Sequence, residues 1–245
     1  MSKKRRDFLK DAISFSIVAL AGGAGIYFAP KLKAKEPILR PPGAVEEDMF
    51  LKMCIKCGQC LQVCPYDSIL LEDIDGGASV GMAYIDPHKR GCYLCSAFPC
   101  ILACPTGALD HEKDSIEHVH MGVAILINEN GCIALTNQPV PNSAIDRIYE
   151  NTKVLSKEEK EQKKVVIKED DSEKEKLQKE VLKKLEKFRG KQCTICADMC
   201  PYPNPSLAIG MVKKGSGYIP EIREACVGCG VCVELCPTQV LEILP

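Results

Sequence analysis

The spacing of its cysteines constrains this chain more than any other feature. Most of the 16 cysteines fall into four groups, and in each group the last cysteine precedes a proline. The first and last groups share the spacing C-x2-C-x2-C-x3-C, while the second has two additional residues between its second and third cysteines. The groups are Cys54, Cys57, Cys60 and Cys64; Cys92, Cys95, Cys100 and Cys104; Cys193, Cys196 and Cys200; and Cys226, Cys229, Cys232 and Cys236.

This spacing is typical of the ligands of 4Fe–4S clusters. Three thiolates in one short loop can bind three iron atoms of a cluster, and the cysteine before the proline ligates the neighbouring cluster. The groups are therefore expected to work in pairs. The third group lacks its first cysteine, and Cys132 is the only cysteine outside the groups. We expect Cys132 to supply this ligand despite the long gap before Cys193, because the entropy cost of closing a loop grows slowly with its length.

Pairing the groups predicts four 4Fe–4S clusters, with iron bound through all 16 cysteines. The predicted ligands are Cys54, Cys57, Cys60 and Cys104 for cluster 1; Cys92, Cys95, Cys100 and Cys64 for cluster 2; Cys132, Cys193, Cys196 and Cys236 for cluster 3; and Cys226, Cys229, Cys232 and Cys200 for cluster 4. One-electron transfer from cluster to cluster is the mechanism that these cofactors predict.

Disulfides and zinc are the alternative interpretations of so many cysteines. Disulfides suit exported proteins, but they do not explain why the same run of cysteines and proline occurs twice. A four-ligand zinc site is built from two C-x2-C pairs, whereas these groups place three cysteines before a cysteine–proline. A zinc-stapled interaction module remains the alternative from another functional class.

The N-terminus has the pattern of an export signal. Residues 3–6 read KKRR, and no charged residue occurs between Ala12 and Ala29. A twin arginine before an apolar stretch is typical of the twin-arginine (Tat) export route, whose cargo crosses the membrane already folded and loaded with cofactor. We expect residues 1–35 to be this signal or an uncleaved anchor. The protein is then periplasmic and associated with the cytoplasmic membrane.

The rest of the chain predicts an α+β fold with two ferredoxin-like double-cluster units and a charged helical insertion. The first unit covers residues 36–136, which include an apolar strand at residues 121–128 and then Cys132. The second unit covers residues 191–245. Residues 137–190 form the insertion, in which lysine and glutamate are abundant.

Within the insertion, Ser172 and Glu175 have the spacing of a helix-capping box. Four apolar residues then follow one narrow helix face, namely Leu177, Val181, Leu185 and Phe188. This pattern predicts a solvated helix that packs lightly on the cluster units, with a partner-docking arm as the alternative.

Composition and motifs exclude several classes of function. The 32 basic residues nearly balance the 33 acidic residues, and a net charge of −1 gives no support to a nucleic-acid-binding protein. Only one apolar stretch approaches membrane-spanning length, which excludes a multispan membrane protein. The sequence has no nucleotide-binding glycine motif and no catalytic constellation around its histidines, so we predict no substrate site of its own.

Together these motifs resemble the NapG/MauM family of periplasmic ferredoxin-type proteins. The resemblance rests on RRDFLK, CIKCGQCLQVCP, CYLCSAFPCILACPTGAL, MGVAILI, QCTICADMCP and CVGCGVCVELCP. In that family a lone cysteine after an apolar strand precedes a shortened third motif, which supports Cys132 as a ligand. The insertion at 137–190 departs from the family pattern.

The resemblance implies four 4Fe–4S clusters and a role in electron transport. Beside a membrane-bound iron–sulfur partner of the NapH type, the protein would form part of a quinol dehydrogenase and pass electrons toward periplasmic nitrate reductase in nitrate respiration. Service to methylamine oxidation is an alternative, and an iron–sulfur subunit bound directly to a molybdenum enzyme is another.

Overall fold

Short helices and two-stranded sheets make up the described part of the chain, which in this computed structural model comprises residues 38–74 and 79–245. This mixture of helices and small sheets agrees with the predicted α+β class. The export signal predicted at residues 1–35 lies outside the described residues. Within the ranges described, no helix has the length and apolar character needed to cross a membrane.

The first half of the described chain carries the first two cysteine groups around a small hairpin. Its elements are α1 (Glu47–Met53), α2 (Gln59–Val63), β1 (Ile69–Leu71), β2 (Ala83–Ile85) and α3 (Pro99–Leu102). β1 and β2 pair in antiparallel fashion, with Ile69 opposite Ile85. An isolated bridge between Ala44 and Leu109 joins the start of this half to its end.

The residues around the cysteines explain why these helices are short. α2 begins after Gly58, whose φ of 73° lies in the left-handed region that favours glycine. It ends at Val63 because Cys64 precedes Pro65, and a proline ring disfavours helical angles in the residue before it. Cys64 is accordingly extended, with a ψ of 115°. The last cysteine of the group is thereby placed beyond the helix that carries Cys60.

Three helices lie between Cys132 and Cys193: α4 (Asn142–Asn151), α5 (Lys157–Glu161) and α6 (Glu173–Glu186). The predicted capping box is present at the start of α6. The backbone N–H of Ser172 donates to the Glu175 carboxylate at 2.8 Å, and the backbone N–H of Glu175 donates to the Ser172 hydroxyl at 3.3 Å.

α6 is packed more tightly than its narrow apolar stripe predicts. Leu182 and Leu185 are fully buried, and α6 packs against α4, where the Tyr149 hydroxyl donates to the Leu182 carbonyl at 3.2 Å. Lys179 is also buried, and its ammonium pairs with Asp171 at 2.9 Å. Light packing of this helix was the wrong expectation, because ion pairs allow charged residues to extend its buried face.

The second half repeats the plan of the first. It contains β3 (Val123–Leu126), α7 (Ile195–Asp198), α8 (Pro205–Ala208), β4 (Ile209–Lys214), β5 (Gly217–Ile222), α9 (Val231–Glu234) and β6 (Leu241–Leu244). β4 and β5 form one antiparallel two-stranded sheet, and β3 and β6 form another. Short 3₁₀ turns occupy Ile116–His118 and Glu129–Gly131.

The pairing of β3 bears on where the halves divide. The sequence places the apolar strand and Cys132 at the end of a first unit that closes at residue 136. In the structure, Val123 of β3 lies opposite Leu244 and Leu126 lies opposite Leu241. The backbone hydrogen bonds of β3 therefore join it, with the Cys132 that follows, to the second half.

One apolar core extends through both halves and the helical segment. It includes Phe50 and Ile101 from the first half, Leu182 and Leu185 from α6, and Leu235 from the second half. Because the halves share this core, the four cysteine groups are held on a common scaffold.

We predict that Leu185→Ala lowers the free energy of unfolding by about 2–5 kcal/mol, since it removes a fully buried side chain and leaves a cavity. Leu207→Ala is the matched control, because Leu207 is 54% exposed, and it should change stability by less than about 0.5 kcal/mol. Anaerobic urea unfolding followed by far-UV circular dichroism measures both. Equal effects of the two variants would show that α6 is not part of the core.

Candidate iron–sulfur sites

All 16 cysteines lie within the described residues, and each is a free thiol. Cys57 is exposed, while every other cysteine is buried or half-buried. The chain therefore places a large number of sulfur atoms inside the molecule without joining them to one another.

Three of the four predicted ligand sets each line a cavity. One cavity is lined by Cys54, Cys57, Cys60 and Cys104, the second by Cys64, Cys92, Cys95 and Cys100, and the third by Cys200, Cys226, Cys229 and Cys232. In each set, three cysteines come from one group and the fourth precedes a proline in the partner group. The third cavity is otherwise lined mainly by apolar residues, including Ile209, Ile222 and Ile243.

The structure also brings together the set that contains Cys132. Burial, followed by the nearby Cys236 and Cys132 thiols, raises the pKa of Cys193 to about 11. Burial also raises the pKa of Cys196, with contributions from Cys193, Cys236 and Cys132. The Cys132 and Cys236 thiols thus lie close enough to Cys193 and Cys196 to affect the pKa of both.

The long gap between Cys132 and Cys193 is closed by backbone contacts at the ends of the helical segment. The Val140 N–H donates to the Lys191 carbonyl at 2.8 Å, and Pro139 forms an isolated bridge with Gln192. All three helices therefore lie in a loop whose two ends meet. This closure returns the chain to Cys132 before the third cysteine group begins.

Burial dominates the protonation of these thiols. It raises the pKa of Cys60 and Cys95 to about 11, and that of Cys100 and Cys229 to about 12. A cysteine binds metal as the thiolate, which such burial disfavours. The sites therefore fit a cofactor whose own positive charge, from iron, stabilises thiolates away from water.

Backbone and hydroxyl donors approach the sulfur atoms that precede the prolines. The N–H of Ser68 donates to Cys64 Sγ at 3.3 Å, and the N–H of Leu109 donates to Cys104 Sγ at 3.4 Å. Burial by itself raises the pKa of Cys104, but hydrogen bonds from Leu109, Thr106 and Ala108 outweigh it and lower that pKa. Donors of this kind tune the reduction potential of a cluster bound to such sulfurs.

The two halves repeat one of these contacts. Thr106 Oγ1 lies 3.8 Å from Cys104 Sγ, and Thr238 Oγ1 lies 3.8 Å from Cys236 Sγ. Both threonines follow a cysteine–proline pair. The local environments of the two sulfurs are therefore built in the same way from the same three-residue sequence.

Gly228, in the last ligand loop, is required by both backbone conformation and space. Gly228 has a φ of 69°, and a Cβ there would lie 2.3 Å from the Gly122 carbonyl oxygen. Lys56 and Leu94 occupy the corresponding position in the first two groups, with φ of 60° and 48°. Glycine is thus essential at this position only where another part of the backbone approaches the loop.

Among the described residues, no group of three or more histidine, cysteine, aspartate or glutamate side chains is arranged to hold a single metal ion. This finding does not conflict with the cavities. The four cysteines of a 4Fe–4S site bind four different iron atoms, so their sulfurs surround a cofactor rather than converge on one point.

One feature near the cysteines could not be predicted from their spacing. The Glu234 side chain lies between Cys232 and Cys236 in sequence and is only 5% exposed. Its carboxylate accepts hydrogen bonds from the Gly91 N–H at 2.8 Å and the Tyr93 hydroxyl at 3.1 Å. Burial raises the pKa of Glu234, and the Arg90 guanidinium at 3.1 Å opposes that rise.

Comparison with known proteins places these sites in a recognised class. The model of the 4Fe–4S dicluster domain matches residues 53–108 and 189–240. Ferredoxin-type protein NapG of Escherichia coli K12 is 26% identical over 250 residues, covering 98% of this chain and 85% of the relative. The methylamine utilization ferredoxin-type protein MauM of Methylorubrum extorquens is 27% identical over 251 residues, covering 100% of this chain and 90% of the relative. No solved structure matches.

The chain is homologous to the NapG and MauM ferredoxin-type proteins. This confirms the family resemblance predicted from the motifs. NapG of Haemophilus influenzae, 25% identical over 261 residues, covers 100% of this chain and 73% of the relative. The two regions matched by the dicluster model fall in the two halves of the fold, so the similarity to iron–sulfur dicluster proteins covers both cysteine-rich halves.

Proposed function

We propose that this protein carries four 4Fe–4S clusters and transfers electrons from membrane quinol, through a NapH-type membrane partner, toward periplasmic nitrate reductase. The observation that carries the proposal is the gathering of 16 cysteines into four sets of four. When bound, the clusters supply one-electron redox chemistry. The chain's own residues orient them, exclude water and tune their potentials.

The proposed count depends on Cys132. Cys132 is 8% exposed and lies with Cys193, Cys196 and Cys236, which would otherwise give one cluster three ligands. A cubane held by four cysteines leaves no iron open to water or oxygen at that site. Full ligation suits electron transfer, since an electron carrier needs no open coordination position.

The helical segment supports the proposal in a different way. We infer that residues 137–190 form a charged insertion within the second cluster unit, because the ends of the segment meet between Cys132 and Cys193. Arg147 of α4 donates to the carbonyls of Cys236 and Pro237, both at 3.3 Å. The insertion thus covers backbone beside the proposed cluster 3.

Two alternatives within electron transfer remain. The relatives include a protein named for methylamine utilization, so the electrons would then serve methylamine oxidation. A subunit bound directly to a molybdenum enzyme is the other alternative, and it would need no NapH-type partner. Zinc analysis distinguishes the non-redox alternative, an interaction module stapled by zinc.

We predict that Cys132→Ser removes one cluster, because serine replaces a buried ligand that no neighbouring cysteine can replace. Iron and sulfide analysis after anaerobic purification should show one cubane fewer per chain. Cys193→Ser is the matched variant, since it should remove the same cluster and give the same electron paramagnetic resonance (EPR) spectrum on reduction. Unchanged iron in Cys132→Ser would contradict the assignment.

Export by the twin-arginine route is proposed from residues 3–6. Replacing Arg5 and Arg6 by lysine together should leave the protein in the cytoplasm, because the twin arginine is the recognised feature of the signal. Replacing Lys3 and Lys4 by glutamine is the control and should leave periplasmic delivery intact. Cell fractionation followed by immunoblotting measures both, and periplasmic accumulation of the twin-lysine variant would contradict this route.

The electron donor is tested with membranes. Anaerobic membranes that contain the NapH-type protein and reduced quinol should reduce the clusters, seen as bleaching of their visible absorbance. Membranes from the same strain without that protein should reduce them much more slowly. Equal rates from both membranes would exclude the proposed donor, and tight co-purification with a molybdenum enzyme would favour the alternative.

A further inference from the structure

The two halves meet directly at their cysteine loops. The backbone N–H of Cys92 donates to the Cys229 carbonyl at 2.7 Å. A Cβ on the neighbouring Gly91 would lie 2.4 Å from the Val231 nitrogen, so this contact admits no side chain there. Cys92 belongs to the proposed cluster 2 and Cys229 to the proposed cluster 4. The loops that enclose these two clusters are therefore in contact.

Within each half, the two clusters are neighbours for a different reason. α2, which carries Cys60 of cluster 1, packs against α3, which carries Cys100 of cluster 2. In the same way α7, with Cys196 of cluster 3, packs against α9, with Cys232 of cluster 4. Cys196 and Cys232 also pack into one small apolar cluster.

We propose that the clusters lie in the spatial order 1–2–4–3, so that electrons cross between the halves from cluster 2 to cluster 4 or in reverse. The order rests on the cluster assignment proposed above. It differs from the order of the cysteine groups along the chain, in which cluster 3 would adjoin cluster 2.

Buried polar contacts stabilise the place where the Cys92 loop of the first half meets the Cys229 loop of the second half. The Glu234 carboxylate from the second half binds Gly91, Tyr93 and Arg90 of the first half, at 2.8, 3.1 and 3.1 Å. Gln178 of α6 accepts from Arg90 at 3.2 Å. Electron tunnelling weakens steeply with distance. Contacts that hold the two halves together therefore keep the tunnelling distance between clusters 2 and 4 constant.

The helix α6 also contacts the loop that follows Cys64 in the first half. Gln178 donates to the carbonyl of Pro65 at 2.9 Å, directly after Cys64 of cluster 2. Lys174 pairs with Asp67 at 2.5 Å. The helical insertion thus reaches from the second half to the loop of the inner cluster of the first half. Arg90, Gln178 and Glu234 are positioning residues in this arrangement.

The two ends of the proposed order differ in exposure. Cluster 1 has Cys57 as an exposed ligand, and the neighbouring Ile55 is 62% exposed. At cluster 3, Cys132 and Cys236 are 8% and 6% exposed. Clusters 2 and 4 are the two middle clusters of the proposed order, and both lie beside the contact between the halves.

The test uses full-length double variants in which two of the four proposed clusters are removed and two remain. Cys57→Ser with Cys193→Ser removes clusters 1 and 3 and leaves clusters 2 and 4. Cys57→Ser with Cys226→Ser removes clusters 1 and 4 and leaves clusters 2 and 3. EPR spectroscopy of the fully reduced proteins detects magnetic coupling, which splits and broadens the signals of adjacent reduced cubanes.

The order 1–2–4–3 predicts coupled signals from the first double variant and two uncoupled signals from the second. Coupling in the second variant, or its absence in the first, overturns the order. Iron and sulfide analysis of the unsubstituted protein separates the two proposals, because fewer than four cubanes there contradicts the proposed function instead.

If the double variants lose further clusters, Gly91→Ala tests whether clusters 2 and 4 are adjacent. It keeps every cysteine but forces the Gly91–Val231 contact apart. All four cubanes should remain, while the coupling contributed by clusters 2 and 4 is lost or reduced. Leu207→Ala is the control, because Leu207 is 54% exposed and lies away from the contact between the two ligand loops. Coupling equal to that of the unsubstituted protein in Gly91→Ala would overturn the proposed crossing.

Discussion

The burial of cysteine thiols is the constraint on which this structure depends. A thiol at Cys100 or Cys229 has its pKa raised to about 12 by burial, so its thiolate is unfavourable unless a cation is bound beside it. Iron–sulfur clusters supply that cation while they fill the space between the sulfurs. Binding of such a cofactor would therefore stabilise the folded chain, and the loops around each cavity present sulfur beside the apolar core.

Much of the candidate site follows from local sequence. The cysteine spacing and the following prolines determine which sulfurs face the same cavity, because a proline ends the preceding helix and directs the last cysteine elsewhere. Counting the cysteines predicts Cys132 as the missing ligand, and in the structure its thiol lies near Cys193 and Cys196. The cysteine spacing does not predict which strand pairs with β3. In the structure β3 forms hydrogen bonds with β6 at the far end of the chain.

Long-range packing limits the rest of the prediction in the same way. The stripe of apolar residues on α6 indicates a helix with one buried side, but Gln178 and Lys179 are buried as well. Their partners come from distant segments: Arg90 and Pro65 bind Gln178, and Glu159 and Asp171 pair with Lys179. Helical periodicity predicts that such polar residues face solvent, because the distant groups that form hydrogen bonds and ion pairs with them cannot be read from the local sequence.

In the proposed arrangement, the helical segment at residues 137–190 and the contact between the ligand loops both fix the distance between the two halves. Two similar cluster units joined only by a flexible linker would sample many separations, and electron transfer between them would vary with each. The contact at Gly91 excludes side chains from the approach of the two ligand loops, while Glu234 and Arg90 satisfy its buried polar groups. Gln178 then links this contact to the insertion. The helical segment thus adds Gln178 as a further polar partner to an interface that Glu234, Arg90 and Tyr93 already form between the two halves.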